Sequence, residues 1–450
     1  MKYVKRNLED TISSYIQSSN DHIILLSGAR QTGKRTLVEN LPCKEKKLII
    51  NLWDEERETI ALRNVRTFSE FSHILKTVYG FIPQKNTILI IDEAQASEFI
   101  SSFLMEMHRK WKGQKVILLG SLLANLHKKG QPLPVGRTLE FICRPLNFQE
   151  FLRFRSKENY FDLISDYNSV SPDIHQLLMD EYRIYLHIGG LPGIVTADSN
   201  NQDLVILFES LLNNIYRDAD RFISPDENSR GSRIPQYGRI LETVLKSIAH
   251  HIGAPTQNST LLSSDSPAYR TVLPHVLEAL SLWHLAYTLP FKTAQYSTKK
   301  GYSSKKYLFD IGIANFLLTR LMPVQFWKGN QIAAMLLENS VLQDCISCVE
   351  SSKAIECYRS NNKAPTELDF LVTCSGNVFP LEVKSSTKVK LNTLSQLIDY
   401  LERNNQQNGY VVYTGMPEVK KFRNKTIYCI PPYMIMDLLK NSDRNSMFNT

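Results

Sequence analysis

The chain has 450 residues, 43% of them hydrophobic and 22% charged, which is the balance of an ordinary soluble globular protein with room for about two to four domains. Its net charge of +8 permits a nucleic-acid partner without requiring one. No apolar run is long enough to span a membrane, and the opening "MKYVKRNLEDTISSY" lacks the apolar stretch of a secretory signal, while seven scattered cysteines point to reduced thiols and a cytoplasmic setting.

The first strong element is "HIILLSGARQTGKRTLVENL", His22 to Leu41. An apolar run, Ile23 to Leu26, predicts a buried parallel strand, and "RTLVENL" has helical spacing at Leu37 and Leu41. Between them lies a near match to the phosphate-cradling loop G-x-x-x-x-G-K-[ST], formed by Gly28, Ala29, Arg30, Gln31, Thr32, Gly33 and Lys34. Backbone N–H groups of such a loop bind phosphate, and Lys34 reaches the terminal phosphates of ATP. The next position should carry the hydroxyl that holds Mg²⁺. It is Arg35, and the first hydroxyl comes one residue late, at Thr36. Successive helix residues point about 100° apart, so Thr36 does not simply replace it. Either water and Asp92 hold the metal, or Arg35 itself supplies positive charge. Both imply tight nucleotide binding with slow turnover.

A second strand is predicted at "KKLIINLWD". In "NTILIIDEAQ", Asn86 to Gln95, four apolar residues lead into Asp92 and Glu93. Carboxylates at the carboxyl end of a buried parallel strand face the ligand crevice. Asp92 is placed to hold the Mg²⁺ shell and Glu93 to polarise the attacking water. The strand "KVILLGS" ends at Gly120 and Ser121, where a small polar group would sense the terminal phosphate.

In this order the chain carries "GARQTGKRTL", "LIIDEAQ", "LLGSLLANL", "PVGRTLEFICRPLNFQEFL" and "YLHIGGLPGIV". Together they resemble predicted prokaryotic AAA+-type ATPases that carry a C-terminal domain of unknown function with a nuclease-like core. The resemblance covers nearly the whole chain. Arg35 departs from it, because the family has Thr or Ser there. Arg137, in "PVGRT", matches a Gly-Arg element of the family. It is read either as a γ-phosphate contact, in cis or from a neighbouring subunit of a homo-oligomer, or as a surface ion pair. The glycines of "YLHIGGLPGIV" read as a tight structural turn.

The pattern predicts helices from about Tyr160 to Tyr216, as a lid and linker, and a boundary at "SPDENSRGSRIPQYG". Two amphipathic helices follow, then a strand "LAYTLPFKT", then a strand running into a helix at "KKYLFDIGIANFLL". That order suggests a winged helix, which the resemblance also implies. The segment Lys292–Tyr307, "KTAQYSTKKGYSSKKY", has five Lys, no acid and three interleaved Tyr. It reads as a wing that tracks the backbone of DNA or RNA and stacks on bases, or as a solvated loop.

From about Gln325 a second constellation appears. Glu338 lies on a predicted helix, "TELDFLVTC" and "VFPLEVKSS" read as a hairpin about Ser375-Gly376-Asn377, and Glu382 and Lys384 share a face. Asp369, Glu382 and Lys384 have the form D-x₁₂-E-x-K, which looks like a PD-(D/E)xK nuclease core. Such carboxylates hold Mg²⁺ against a scissile phosphate, with Glu338 completing the shell and Lys384 orienting the attacking water. The alternative for Glu382 and Lys384 is a weak surface ion pair. Cys345 and Cys348 read as buried thiols rather than zinc ligands.

The expected architecture is an α/β P-loop NTPase (AAA+-like) parallel sheet over 1–155 and a helical lid over 156–235. A winged helix over 236–324 and a restriction-endonuclease-like α/β domain over 325–450 follow. Three functions remain open: an ATP-dependent enzyme acting on DNA or RNA, a nucleotide-regulated scaffold with an inactive nuclease-like domain, and an AAA+ remodeller of protein partners.

Overall fold

Short, nearly continuous runs of Val, Ile and Leu build the first sheet. The computed structural model describes residues 3–19, 21–123, 136–165, 170–223, 237–293, 304–323, 330–360 and 367–440. The chain divides into two compact units, Met1–Pro145 with Glu278–Leu285, and Leu146–Leu277 with Ala286–Thr450. Among the described residues, no helix is long and apolar enough to cross a membrane. All seven cysteines are free.

In the first unit, β1 (Ile23–Ser27), β2 (Lys46–Asn51), β3 (Thr87–Asp92), β4 (Val116–Leu119) and β5 (Thr138–Ile142) form a parallel sheet in the order β2-β3-β4-β1-β5. Both faces are covered, so the strands read as continuous apolar runs rather than alternating ones. Ile23, Leu25, Leu89, Ile91 and Leu118 pack on one side with an aromatic group of Phe68, Phe71, Phe103 and Trp111. Ile24, Leu26, Ile88, Ile90 and Ile117 face the other side with Ile12, Leu37 and Val38. Parallel strands align their carboxyl ends, which brings the ends of β1, β3 and β4 to one edge.

The second unit holds two sheets. Strands β6 (Pro255–Thr256), β7 (Ala286–Leu289), β8 (Phe291–Thr293) and β9 (Ser304–Leu308) are followed by β10 (Ile355–Arg359), β11 (Glu367–Cys374) and β12 (Asn377–Lys384). The last three are β13 (Asn408–Tyr413), β14 (Glu418–Phe422) and β15 (Lys425–Ile430). One sheet is antiparallel in the order β6-β9-β7, and the other is mixed in the order β14-β15-β13-β12-β11-β10-β8. The predicted hairpin forms: Ser375 and Gly376, both with positive φ, make the two-residue turn between β11 and β12.

Two expectations change here. "LAYTLPFKT" is not one strand. It breaks at Pro290, which has no N–H to donate to a ladder, and the two pieces join different sheets. The expected Lys/Tyr wing is also revised at its end. Lys305, Lys306 and Tyr307 lie in β9, 3%, 7% and 0% exposed, so they are interior strand residues and not a stacking surface. Lys292 is exposed, and 294–303 lie outside the described residues.

The glycine element ends the helix Pro172–Ile188, with Gly189 at φ +78°. A Cβ on Gly190 would stand 2.2 Å from the Leu146 carbonyl oxygen, so only glycine fits. Asp310 locks this turn. Its carboxylate accepts from the Gly190 N–H at 2.8 Å and caps the helix Ile311–Thr319 by accepting from the Ile313 N–H at 3.0 Å.

Candidate functional site

The loop after β1 is wound as a phosphate cradle. Gly28, Gln31 and Gly33 have φ of +145°, +63° and +88°, the alternation that turns successive N–H groups toward one point. A Cβ on Gly28 would lie 2.2 Å from the Cys143 carbonyl oxygen. Gly28→Ala is therefore expected to lower stability by about 2 kcal/mol or more, because the clash is with backbone and the φ suits glycine. A denaturant melt unchanged by the substitution would contradict this placement. Lys34 is buried and its ammonium donates to the Gly28 and Ala29 carbonyls at 2.9 and 2.8 Å. Burial pulls its pKa down, and Cys143, Glu93 and Asp92 partly restore it. The Thr32 hydroxyl donates to Ala29 O, and the buried Arg6 guanidinium donates to Thr32 O at 3.0 Å, bracing the loop from outside. Arg30 is half-buried and Gln31 and Thr36 are exposed.

Strand β4 lies between β1 and β3, so Asp92 and Glu93 stand about 10 Å across the sheet from the loop, two inter-strand spacings. Asp92 is largely buried. Burial and the adjacent Glu93 push its carboxyl above the usual range. Arg35 occupies the ground between. Its Nε donates to Glu39 Oε1 at 2.8 Å, and its Nη1 lies 3.8 Å from Asp92 Oδ2. This corner thus faces Asp92 with a cation and not with the hydroxyl that completes an ordinary Mg²⁺ shell. The residues present do not fit that shell.

Glu93 sits in the left-handed region, at φ +50°, and accepts a hydrogen bond from the Gln95 side-chain amide. Gln95 is 8% exposed, and its Oε1 has no hydrogen-bond partner among the described residues; it lies over Gly120, where a Cβ would come within 2.0 Å. The buried Ser121 hydroxyl is likewise unpartnered. Two polar groups without a partner among the described residues therefore sit just beyond the ends of β3 and β4.

Arg137 is placed elsewhere. It precedes β5, whose Thr138 is level with Ile23, whereas the phosphate loop leaves β1 at Ser27, level with Ile142. Parallel pairing therefore puts Arg137 at the opposite end of the strands, about 15 Å from the loop. The expected contact with the γ-phosphate in cis is not served. Sequence reasoning also missed His284, which meets the loop's first strand. Its Nε2 is 3.0 Å from Ser27 Oγ, and burial, Arg144 and Lys34 push its pKa down to about 4.

The second unit brings the other constellation together. Glu338 is on the helix Gln331–Cys348, Asp369 on β11, and Glu382 and Lys384 on β12. Lys384 donates to Glu382 Oε1 at 2.5 Å. Burial and Asp369 raise the Glu382 carboxyl. Lys305, part of the expected wing, lies among these carboxylates, 2.9 Å from Asp369 Oδ1 and 3.3 Å from Glu338 Oε1. Among the described residues, no three His, Cys, Asp or Glu side chains are arranged to hold a metal ion. Lys305 thus stands among Glu338, Asp369 and Glu382, the residues expected as a metal shell, and bonds two of them.

Residues 20–152 match the family model of an AAA domain. Residues 179–323 and 333–433 each match a domain of unknown function. An uncharacterized protein of Methanocaldococcus jannaschii is 26% identical over 376 residues, covering 82% of this chain and 75% of that one. Among solved structures, the Walker-type ATPase of Pyrococcus abyssi is similar with a TM-score of 0.41 and 17% identity, over 70% of this chain and 96% of that one. A signal transduction ATPase with numerous domains and a tetratricopeptide repeat sensor, from Pyrococcus horikoshii, gives a TM-score of 0.28 at 15% identity, over 77% of this chain and 46% of that one. The phosphate loop, the parallel sheet and the Asp92-Glu93 strand end all fall within residues 20–152, the stretch that matches the AAA-domain model.

Proposed function

We propose that the chain is an ATP-binding switch that hydrolyses its nucleotide slowly. The observation that carries this reading is the Arg35 guanidinium, 3.8 Å from Asp92 where a metal-ligating hydroxyl belongs. A cation beside the phosphates supports binding without a full Mg²⁺ shell. It does not position a metal and its waters for in-line attack, so binding is favoured over turnover. Glu93 polarises the attacking water only after it leaves Gln95. Arg137 acts, on this reading, from a neighbouring subunit.

Arg35→Thr is expected to raise the hydrolysis rate in Mg²⁺ at least about tenfold, a barrier change of about 1.4 kcal/mol. Wild-type affinity for ATP is expected to change little when EDTA removes the metal. A rate unchanged by Arg35→Thr, measured as phosphate release, would remove the argument from position 35.

The order of the helices Tyr237–His250, Asn258–Leu261 and Leu273–Leu282, followed by antiparallel β7 and β9, supports a winged helix and so a nucleic-acid partner gated by nucleotide state. Fluorescence anisotropy of labelled duplex DNA with ATP, ADP or no nucleotide tests this. Identical curves in all three states would reject the coupling.

A further inference from the structure

Three carboxylates and two lysines from four segments meet inside the second unit, and their pairing is unequal. Lys305 lies in the central strand of the β6-β9-β7 sheet and is 3% exposed. Its ammonium bonds Asp369 Oδ1 at 2.9 Å and Glu338 Oε1 at 3.3 Å. Two residues along the same strand, the Tyr307 hydroxyl donates to the same Glu338 oxygen at 2.7 Å. The other Asp369 oxygen accepts from the Val383 N–H at 2.9 Å. The other Glu338 oxygen lies against Gly253, where a Cβ would come within 2.3 Å. Glu382 Oε1 takes Lys384, while Glu382 Oε2 is buried with no hydrogen-bond partner among the described residues.

Carboxylates that bind a divalent cation direct their oxygens at one point about 2.0–2.6 Å away. Here the point shared by Asp369 and Glu338 already holds a positive charge, at hydrogen-bonding distance. A buried ammonium so placed has its desolvation offset by two carboxylates, and those carboxylates have theirs offset by it. Taking the lysine away would leave like charges face to face and one unsatisfied buried oxygen, a combination that a divalent ion relieves.

We propose that the Lys305 ammonium is the resident cation of this cluster, standing where a divalent ion would sit among Glu338, Asp369 and Glu382, so that the native cluster takes up no such ion. The inference stands apart from the nucleotide reading, since none of its residues belongs to the first unit. It also assigns Lys305 a second effect: one side chain ties β9 to both β11 and the helix Gln331–Cys348.

The experiment is a Mn²⁺ titration of the nucleotide-free full chain, followed by electron paramagnetic resonance of the free ion. The wild type is expected to show no Mn²⁺ site that Asp369→Asn removes. Lys305→Met is expected to gain one site, at least about tenfold tighter than any wild-type binding in this unit, and Asp369→Asn in that background should abolish it. Circular dichroism establishes that the variants are folded. A wild-type site removed by Asp369→Asn would overturn the proposal, as would a folded Lys305→Met that gains no ion. Should Lys305→Met fail to fold, the comparison of wild type with Asp369→Asn and with Glu382→Gln still decides whether the native cluster binds a metal.

Discussion

Lys34→Ala is expected to weaken ATP binding by about 100-fold or more. On the proposed reading the Lys34 ammonium meets the terminal phosphates, and a charge-assisted bond of this kind contributes about 1.5–3 kcal/mol, with more than one phosphate oxygen in reach. Roughly 2.7 kcal/mol is a factor of about 100 in affinity. The loss should fall on binding and not on folding. Among the described residues Lys34 donates to the Gly28 and Ala29 carbonyls, which water can satisfy once the side chain is gone. Calorimetric titration with ATP, beside a thermal melt, separates the two. An affinity within about threefold of wild type would show that the loop does not cradle phosphate.

Asp310→Ala is expected to cost the second unit about 3–5 kcal/mol. Asp310 is 0% exposed, and both of its oxygens are committed, one to the Gly190 N–H and one to the Ile313 N–H. Alanine leaves two buried donors unpaired, at about 1–3 kcal/mol each, and removes a helix cap. The same residue gives a pH signature. Burial raises its carboxyl to about 6, against the bonds to Gly190, Ile313 and Gly312, which lower it. Between about pH 4 and about pH 6 the folded chain therefore holds a proton that the unfolded chain has released. Stability from this group is full below the unfolded pKa and is lost as pH rises through the folded one. Measured against Asp310→Asn, which carries no titrating group, wild-type stability should decline by up to about 3 kcal/mol across that window. A difference that stays flat with pH would mean that the carboxyl is not perturbed.

The nucleotide domain was legible because its signals are local. An apolar run, a glycine loop and a carboxylate at a strand end are each contained within about ten residues, and parallel pairing then aligns them. The position of Arg137 could not be read, because it depends on β5 lying beside β1 in a register that no short window encodes. Gln95 stood in the quoted motif yet could not be read, since its role follows from the left-handed turn at Glu93 and the bare Gly120 opposite. Lys305 is the plainest case. In "KKGYSSKKY" it looks like one more solvated charge. It is interior because β9 is flanked on both sides and because Glu338 and Asp369, 33 and 64 residues further on, come to meet it. A buried lysine is recognisable only by its partners, and these were distant in sequence.

The break at Pro290 bears on how the second unit comes apart. β7 and β8 are separated by that residue alone, but β7 pairs in the three-stranded sheet and β8 forms the edge of the seven-stranded one, with the Pro290 carbonyl accepting from the Cys357 N–H at 3.0 Å. One short stretch of backbone is thus common property of both sheets. Opening either pulls on the other, so the two form a single cooperative folding unit. A fragment beginning near Gln325 would lack β8 and β9. It would bare the parallel edge of β10 and leave Asp369 and Glu338 without Lys305. The constellation that reads in sequence as a separable cassette is, in three dimensions, finished by residues that precede it.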